Sequence, residues 1–345
     1  MIRQRTQRSV SQSGVSRSGV SASGPVRVGI GDDCAILRVP RGHELMVTTD
    51  FSLEGQHFRR EWHPPESVGH RCIARGLSDI AAMGARPLAA FLSLALPASL
   101  AREGTDWVAR FFDGLLALAD AHGVSLAGGD TAQSPSDEVL ADIILLGSAP
   151  TGKALLRSGA RAGDAIYATG SLGGAAAELQ SLSQHPEKFA HMSSKSAADS
   201  GSHPHLYPQP RLRVGTALRQ RKLATACIDI SDGLSTDLAH LCDESDLCAE
   251  LDATAIPVHP LAAGIFARGE DALLLALHGG EDYELLFTAP ANTKMPRRIA
   301  GVPLTRIGHM LAKKLEGPQM TLIDAQGKRQ PLQPHGWEHF AHGHP

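Results

Sequence analysis

From Val26 onward, apolar and polar residues alternate in short runs, VRVGI, CAILRVP and ELMVTTD, each bounded by turn-forming residues. A period of two sends alternate side chains to opposite faces of a strand, so three short strands are predicted here. The period then lengthens. Between Pro65 and Met83, the residues Val68, Cys72, Ile73, Leu77, Ile80 and Met83 recur mostly at spacings of three or four, with prolines at the start and Gly84 just past the end. That spacing predicts a helix. Asp106 to His122 repeats it with Trp107, Val108, Phe111, Phe112, Leu115, Leu116 and Leu118, and Gly123 supplies the stop. Leu140 to Leu146 reads as a buried strand. A Gly- and Arg-rich stretch, SAPTGKALLRSGARAGD, then places a domain boundary near residue 150. Beyond it follow a strand in DAIYATG, a helix in GGAAAELQSLSQ, a strand in ATACIDIS, a helix in LSTDLAHLCDES, a strand in YELLFTAP and a short sheet-like MTLIDAQGK. Residues 184–209, rich in Ser, His and Pro, read as a mobile loop. The predicted class is mixed α/β, an α+β mixture, with a flexible tail over 1–24, an N-terminal domain over 25–150 and a C-terminal α/β domain over 151–345.

Composition narrows the partners. At 345 residues the chain is longer than one core usually supports, which also favours two domains. A formal charge of -3 provides no broad basic field, so nucleic acid and anionic membranes are excluded as main partners and small molecules are favoured. The most apolar stretch, Ala89 to Ala101, is interrupted by Ser93, Pro97 and Ser99 and is too short to span a bilayer. The five cysteines form no CxxC pair, which suits a reducing cytoplasm. The first 31 residues hold no Asp or Glu but carry Arg3, Arg5, Arg8, Arg17 and Arg27. Without an apolar helical face they read as a solvated tail rather than a targeting segment.

The candidate chemistry lies in carboxylates. Gly147, Gly152 and Lys153 imitate a P-loop, but Ala154 follows the lysine and lacks the hydroxyl that would hold Mg²⁺. Asp32 and Asp33 follow a glycine, Asp50 follows Thr48 and Thr49, Asp79 follows Ser78, Asp130 follows Gly128 and Gly129, and Asp229 and Asp232 bracket Ser231. A single Asp at a strand end is ordinarily a turn-former or cap. Five such groups from distant segments are another matter, because clustered carboxylates repel unless cations neutralise them. Hard oxygen ligands of this kind select Mg²⁺, usually together with substrate phosphate.

The segments GIGDDCAIL, TTDFSLEGQHF, LSDIAAMGARP, GGDT, LLRSGARAGD, IDISDGLSTDL and GGEDYELLF stand in the order found in thiamine-monophosphate kinases, and over residues 26–340 the chain resembles that family. The resemblance extends to the aminoimidazole ribonucleotide synthetase-like superfamily. It implies a two-domain synthetase-like fold in which the N-terminal sheets of two subunits pair into a barrel across a homodimer. It implies Asp33, Thr48, Thr49, Asp50, Asp79, Asp130, Asp229 and Asp232 as ligands of several Mg²⁺ ions. Gly129, Asp130, Arg157 and Ser231 would contact the co-substrate ATP, and His57, Glu281 and Trp337 would line the thiamine monophosphate site. Asp232, Arg157 and Asp130 would carry catalysis. Taken alone, His57 also reads as a structural histidine and Trp337 as a residue closing the core, while His335, His339, His342 and His344 read as a solvated end. The acceptor phosphate is already mostly ionised at neutral pH, so no strong base is needed. Repulsion between two polyanions is the obstacle, and metal and arginine would relieve it during direct in-line transfer. Two rival readings are another ATP-using synthetase of the superfamily and a non-catalytic nucleotide or thiamine-phosphate binding protein. Three features depart from the family pattern. Arg, Ser and Gly replace the usual N-terminal helix, Gln133 follows GGDT where a basic residue is common, and Gly76 precedes Leu-Ser-Asp where Asn often stands.

Overall fold

A computed structural model of the chain describes residues 24–101, 106–189, 202–265, 269–313 and 316–336. All but the last residue of the predicted tail, positions 190–201 of the predicted loop, Trp337, His339, His342 and His344 lie outside the described residues. The described residues divide into two compact units, one drawn from Met1–Ile80, Ala85–Lys153 and Leu182–Ser202, the other from Ala81–Gly84, Ala154–Ser181 and His203–Pro345.

The first unit holds β1 (Val26–Val28), β2 (Ile36–Leu37), β3 (His43–Leu53), α1 (Pro65–Ala82, whose last two residues belong to the second unit), β4 (Arg86–Leu96), α2 (Trp107–Ala121), β5 (Ser125–Gln133) and β6 (Leu140–Pro150). Four of its strands form one sheet in the order β3-β6-β4-β5, with β4 and β5 parallel and the other pairs antiparallel. A parallel pair needs a crossover, and the amphipathic α2, with Phe111, Phe112, Leu115 and Leu118 buried, lies between β4 and β5 in the chain. Helix α1 buries Val68, Cys72, Ile73, Leu77 and Ile80. Along β6, Ala141, Ile143 and Leu145 are buried while Asp142, Ile144 and Leu146 are only half-buried, which marks one covered and one more open sheet face. β4 and β5 were not predicted as strands. β4 is apolar almost throughout because it is internal to the sheet, and β5 is interrupted by glycines. The P-loop imitation is no P-loop: Gly147 lies within β6, and Thr151 and Gly152 form a turn with no helix after it until Gly174.

The second unit holds β7 (Ala165–Thr169), α3 (Gly174–Gln184, whose last turn belongs to the first unit), α4 (Leu212–Gln220), β8 (Ala226–Ile230), α5 (Leu234–Ser245), β9 (Leu247–Asp252), α6 (Pro260–Ile265), α7 (Gly269–His278), β10 (Glu284–Ala289), β11 (Arg298–Ile299), β12 (Val302–Ala312), β13 (Met320–Ile323) and β14 (Arg329–Pro331). Its sheet runs β14-β13-β9-β12-β7-β10-β8, antiparallel except where β13 meets β9. Ile166, Ile228, Ile230, Leu234, Leu238, Leu241, Leu251, Leu286 and Met310 form one apolar core between this sheet and α5. Strand β10 runs antiparallel to β8, pairing Glu284 with Ile230 and Leu285 with Asp229. The chain that enters β10 therefore lies beside the chain that leaves β8. That adjacency builds the site described below. Among the described residues, no helix is long and apolar enough to cross a membrane.

Candidate active site

In the first unit, β3 splits its three polar neighbours between two faces. Thr48 and Asp50 point to the more covered face, where Thr48 Oγ1 donates to Asp79 Oδ2 from α1. Thr49 points the other way and donates to Asp142 Oδ1 at 2.6 Å. Asp142 is the diagonal neighbour on β6, since it pairs with Phe51 while Thr49 pairs with Ile144. Asp50 Oδ2 is buried without a hydrogen-bond partner. Burial pushes the Asp50 carboxyl up to about 6, Asp79 and Asp142 push the same way, and only Arg75 opposes them. An orphaned carboxylate oxygen beside two further acids can accept a cation, and Thr48, Asp50 and Asp79 supply the hard oxygens a divalent ion prefers. Among the described residues, no three His, Cys, Asp or Glu side chains enclose a metal position by themselves.

A cavity of about 550 Å³ opens in the same unit, walled by the 29–35 loop, Phe91, Leu92, Phe112, the 126–129 backbone and Thr131. Asp33 and Gly129 both line it. Gly129 adopts φ 143, and a Cβ there would stand 1.9 Å from Leu92 O, so only glycine fits this crossing of β5 past β4. Asp130 follows on the strand with its side chain exposed and its Oδ1 accepting from Thr131 N at 2.8 Å. His57 lies on a turn after β3, half-buried, with Nδ1 accepting from Leu53 N at 3.0 Å and its carbonyl oxygen accepting from Arg71.

The second unit builds its acidic turn where β8 ends. Asp229 is buried, and the chain leaves the sheet at Ser231 and Asp232 to enter α5. Asp237, in the first turn of α5, reaches back so that Oδ2 accepts from both Ser231 N and Asp232 N at 3.1 Å. Burial holds the Asp237 carboxyl well above the usual range, with Asp229 and Asp232 adding to the effect and the two amides offsetting part of it. The Gly-Gly-Glu-Asp-Tyr segment lies alongside. A Cβ on Gly280 would stand 2.6 Å from Ser231 O, a close approach that glycine alone permits. Glu281 N donates to Ser231 O at 2.7 Å and Tyr283 N to Ile230 O at 2.9 Å, while Glu281 and Tyr283 both take positive φ. Asp282 turns inward and accepts from Gly173 N at 2.6 Å and Ala175 N at 3.1 Å, capping α3. Glu284 accepts from Thr169 Oγ1 and from Nε and Nη2 of Arg211.

Arg157 is exposed, its carbonyl oxygen accepting from Ser245 Oγ at 2.8 Å. Trp337 lies outside the described residues, but Gly336 before it donates to Thr236 Oγ1 at 3.0 Å, on the first turn of α5.

Comparison with known proteins decides the relationship. The profile described as "AIR synthase related protein, N-terminal domain" matches residues 31–149, and that described as "AIR synthase related protein, C-terminal domain" matches 161–316. The thiamine-monophosphate kinase of Escherichia coli (strain K12) is 39% identical over 320 residues, 92% of this chain and 93% of that protein. This chain belongs to the thiamine-monophosphate kinase family. The crystal structure of thiamine-monophosphate kinase from Stenotrophomonas maltophilia K279a superposes with a TM-score of 0.74 at 33% identity, covering 92% of this chain and 94% of that one. The complex described as AaThiL with AMPPCP and TMP gives 0.71 at 30% identity, covering 90% and 92%.

Against that family's motifs, the structure sorts the predicted residues unevenly. It brings Thr48, Asp50 and Asp79 together, sets Asp33 and Gly129 on one cavity wall, and joins Asp229, Ser231, Asp232 and Glu281 around one turn. It separates Thr49 from its two strand neighbours, because consecutive residues of a strand face opposite ways. Asp142, Asp237, Asp282 and His205 were not predicted. Asp142 offered one signal, a charge inside the otherwise apolar LADIILLG.

Proposed function

We infer that this chain phosphorylates thiamine monophosphate to thiamine diphosphate, using ATP. In that reaction an oxygen of the acceptor phosphate bonds to the γ-phosphorus, the bond to the β,γ-bridging oxygen breaks, and ADP leaves. The observation that carries the reading is the 2.7 Å hydrogen bond from Glu281 N to Ser231 O, which joins the family's two most distinctive motifs in one unit. A residue proposed for thiamine monophosphate thereby stands beside those proposed for ATP and metal.

We assign Asp33, Thr48, Thr49, Asp50, Asp79, Asp130, Asp229 and Asp232 to Mg²⁺. The orphaned Asp50 oxygen and its repulsion by Asp79 support the assignment. Mg²⁺, when bound, supplies positive charge against the transferring phosphoryl group. Gly129 keeps the β5 backbone clear for a phosphate, Ser231 presents a hydroxyl at the turn, and Arg157 brings a planar cation suited to a phosphoryl oxygen. Asp237 accepts from the Ser231 and Asp232 amides and so holds the backbone of this turn. Glu281, with His57 and Trp337, would attract the cationic thiazolium and the amine-bearing ring of the acceptor.

A homodimer fits β3, whose Leu45, Val47 and Phe51 stand exposed in a row on one face. The five cysteines are free thiols, which suits the cytoplasm. Purified protein given ATP, Mg²⁺ and thiamine monophosphate should form thiamine diphosphate, and Asp232→Asn should lose at least about 100-fold in kcat. Wild type that forms none while turning over another acceptor would sink the reading.

A further inference from the structure

Glu281 occupies a left-handed backbone conformation, φ 67, which an L residue with a side chain adopts only when its surroundings enforce it. The Ser231 carbonyl fixes its amide, but that bond does not aim its carboxylate. His205 does. Its Nδ1 lies 3.1 Å from Glu281 Oε2, with the imidazole 1% exposed and the Glu281 side chain 21% exposed, so the pair is dry at one end and open at the other. An imidazole nitrogen facing a carboxylate at this distance is a donor, which fixes the ring's tautomer or its charge.

His205 is placed in turn by Glu178 on α3. Glu178 is buried, and Oε2 accepts from His205 N at 2.7 Å and Leu206 N at 3.2 Å. Its Oε1 faces His203 Nδ1 at 2.6 Å. One buried carboxylate thus gathers three donors from the 203–206 turn and fixes where the His205 ring stands. Leu206 and Tyr207, both buried, anchor the same turn on its apolar side.

We propose that His205 is a positioning residue for Glu281, and that the Glu178–His205–Glu281 chain sets recognition of the cationic, amine-bearing ring of the acceptor. The proposal rests on the reading that Glu281 contacts thiamine monophosphate. It makes acceptor affinity, and not nucleotide affinity, depend on a buried histidine that need not touch either substrate.

Steady-state kinetics of three full-length variants tests it. His205→Leu fills the space without a donor, and loss of a hydrogen bond to a charged group should raise KM for thiamine monophosphate about tenfold or more. KM for ATP and kcat should stay within about twofold, since a group that binds the acceptor alike in ground and transition states moves KM alone. His205→Asn keeps an N–H near the Nδ1 position and should restore a nearly normal KM. His205→Gln carries its N–H beyond that position and should behave like the leucine variant, which decides the matter if His205→Leu fails to fold. An unchanged acceptor KM in the Leu and Gln variants, a matching rise in the ATP KM, or no rescue by Asn overturns the proposal. A wild type with no turnover of thiamine monophosphate overturns the functional reading along with it; normal wild-type turnover with unaltered variants overturns the proposal alone.

Discussion

A buried carboxylate oxygen with no partner is a cost the fold must recover elsewhere, and Asp50 carries one. Burial and the neighbouring Asp79 and Asp142 make its charge unfavourable until a cation arrives. Asp50→Asn is therefore expected to melt at the same temperature or higher than wild type without metal, to lose the rise in melting temperature that Mg²⁺ gives wild type, and to lose at least about 100-fold in activity. A normal Mg²⁺ response in the variant would remove Asp50 from the ligand set. Asp282 offers a separate test, because burial pushes its carboxyl up to about 7 against the amides of Gly173 and Ala175. Between about pH 4 and 7 the folded protein holds this proton while the unfolded chain has released it, so stability must fall as pH rises through that window. Asp282→Asn removes this slope, up to about 1.4 kcal/mol per pH unit, so wild-type stability minus variant stability, measured by melts of both proteins, should fall as pH rises from about 4 to 7. The acids legible in the sequence were Asp50 at the end of an apolar run, Asp232 beside Gly233, and Asp79, which lies inside α1 and stood out only through the Leu-Ser-Asp motif. Asp237 was hidden by its place inside a helix, where an acid reads as a solvated or dipole-directed residue, and only the turn of the chain back over α5 gives it two amides to hold.

At the scale of elements, alternation along β3 gives one strand two tasks. Thr48 and Asp50 face inward, while Leu45, Val47 and Phe51 form an exposed apolar row on the opposite face, with Phe51 61% exposed. If a second copy covers this row, Phe51→Asp places a charge in an apolar contact and should shift the protein from dimer to monomer in light scattering at micromolar concentration. A dimer that survives the substitution would point to another face. The period of two announced β3, and the wider period announced α1 and α2. β4 and β9 escaped because strands buried inside a sheet lose the alternation that a half-exposed strand keeps. β9 follows α5 directly, with Asp246 in a left-handed conformation ending the helix, a turn more often signalled by glycine.

At the scale of the whole molecule, two compact units carry different parts of the proposed chemistry, and the chain passes between them at Lys153 and Ala154. What the sequence could not reveal is that residues 81–84 belong with the second unit, because that grouping depends on contacts such as the Arg219 Nε donation to Gly84 O at 2.7 Å, between positions far apart in the chain. Two pairs of segments should report the two ligands. Hydrogen exchange of the amides in 29–35 and 128–131, which wall the first unit's cavity, should slow on addition of Mg²⁺ with a non-hydrolysable ATP analogue. Amides in 203–206 and 279–283 should slow on addition of thiamine monophosphate, because that ligand stabilises a turn and loop whose backbone is already held by Glu178 and Ser231. At a ligand concentration of 100 times Kd the bound state gains about 2.7 kcal/mol, enough to slow exchange through local opening about 100-fold where the opened form cannot bind. Thiamine monophosphate protecting 29–35 instead, with 279–283 unaffected, would remove Glu281 from the acceptor site and take the argument for His205 with it.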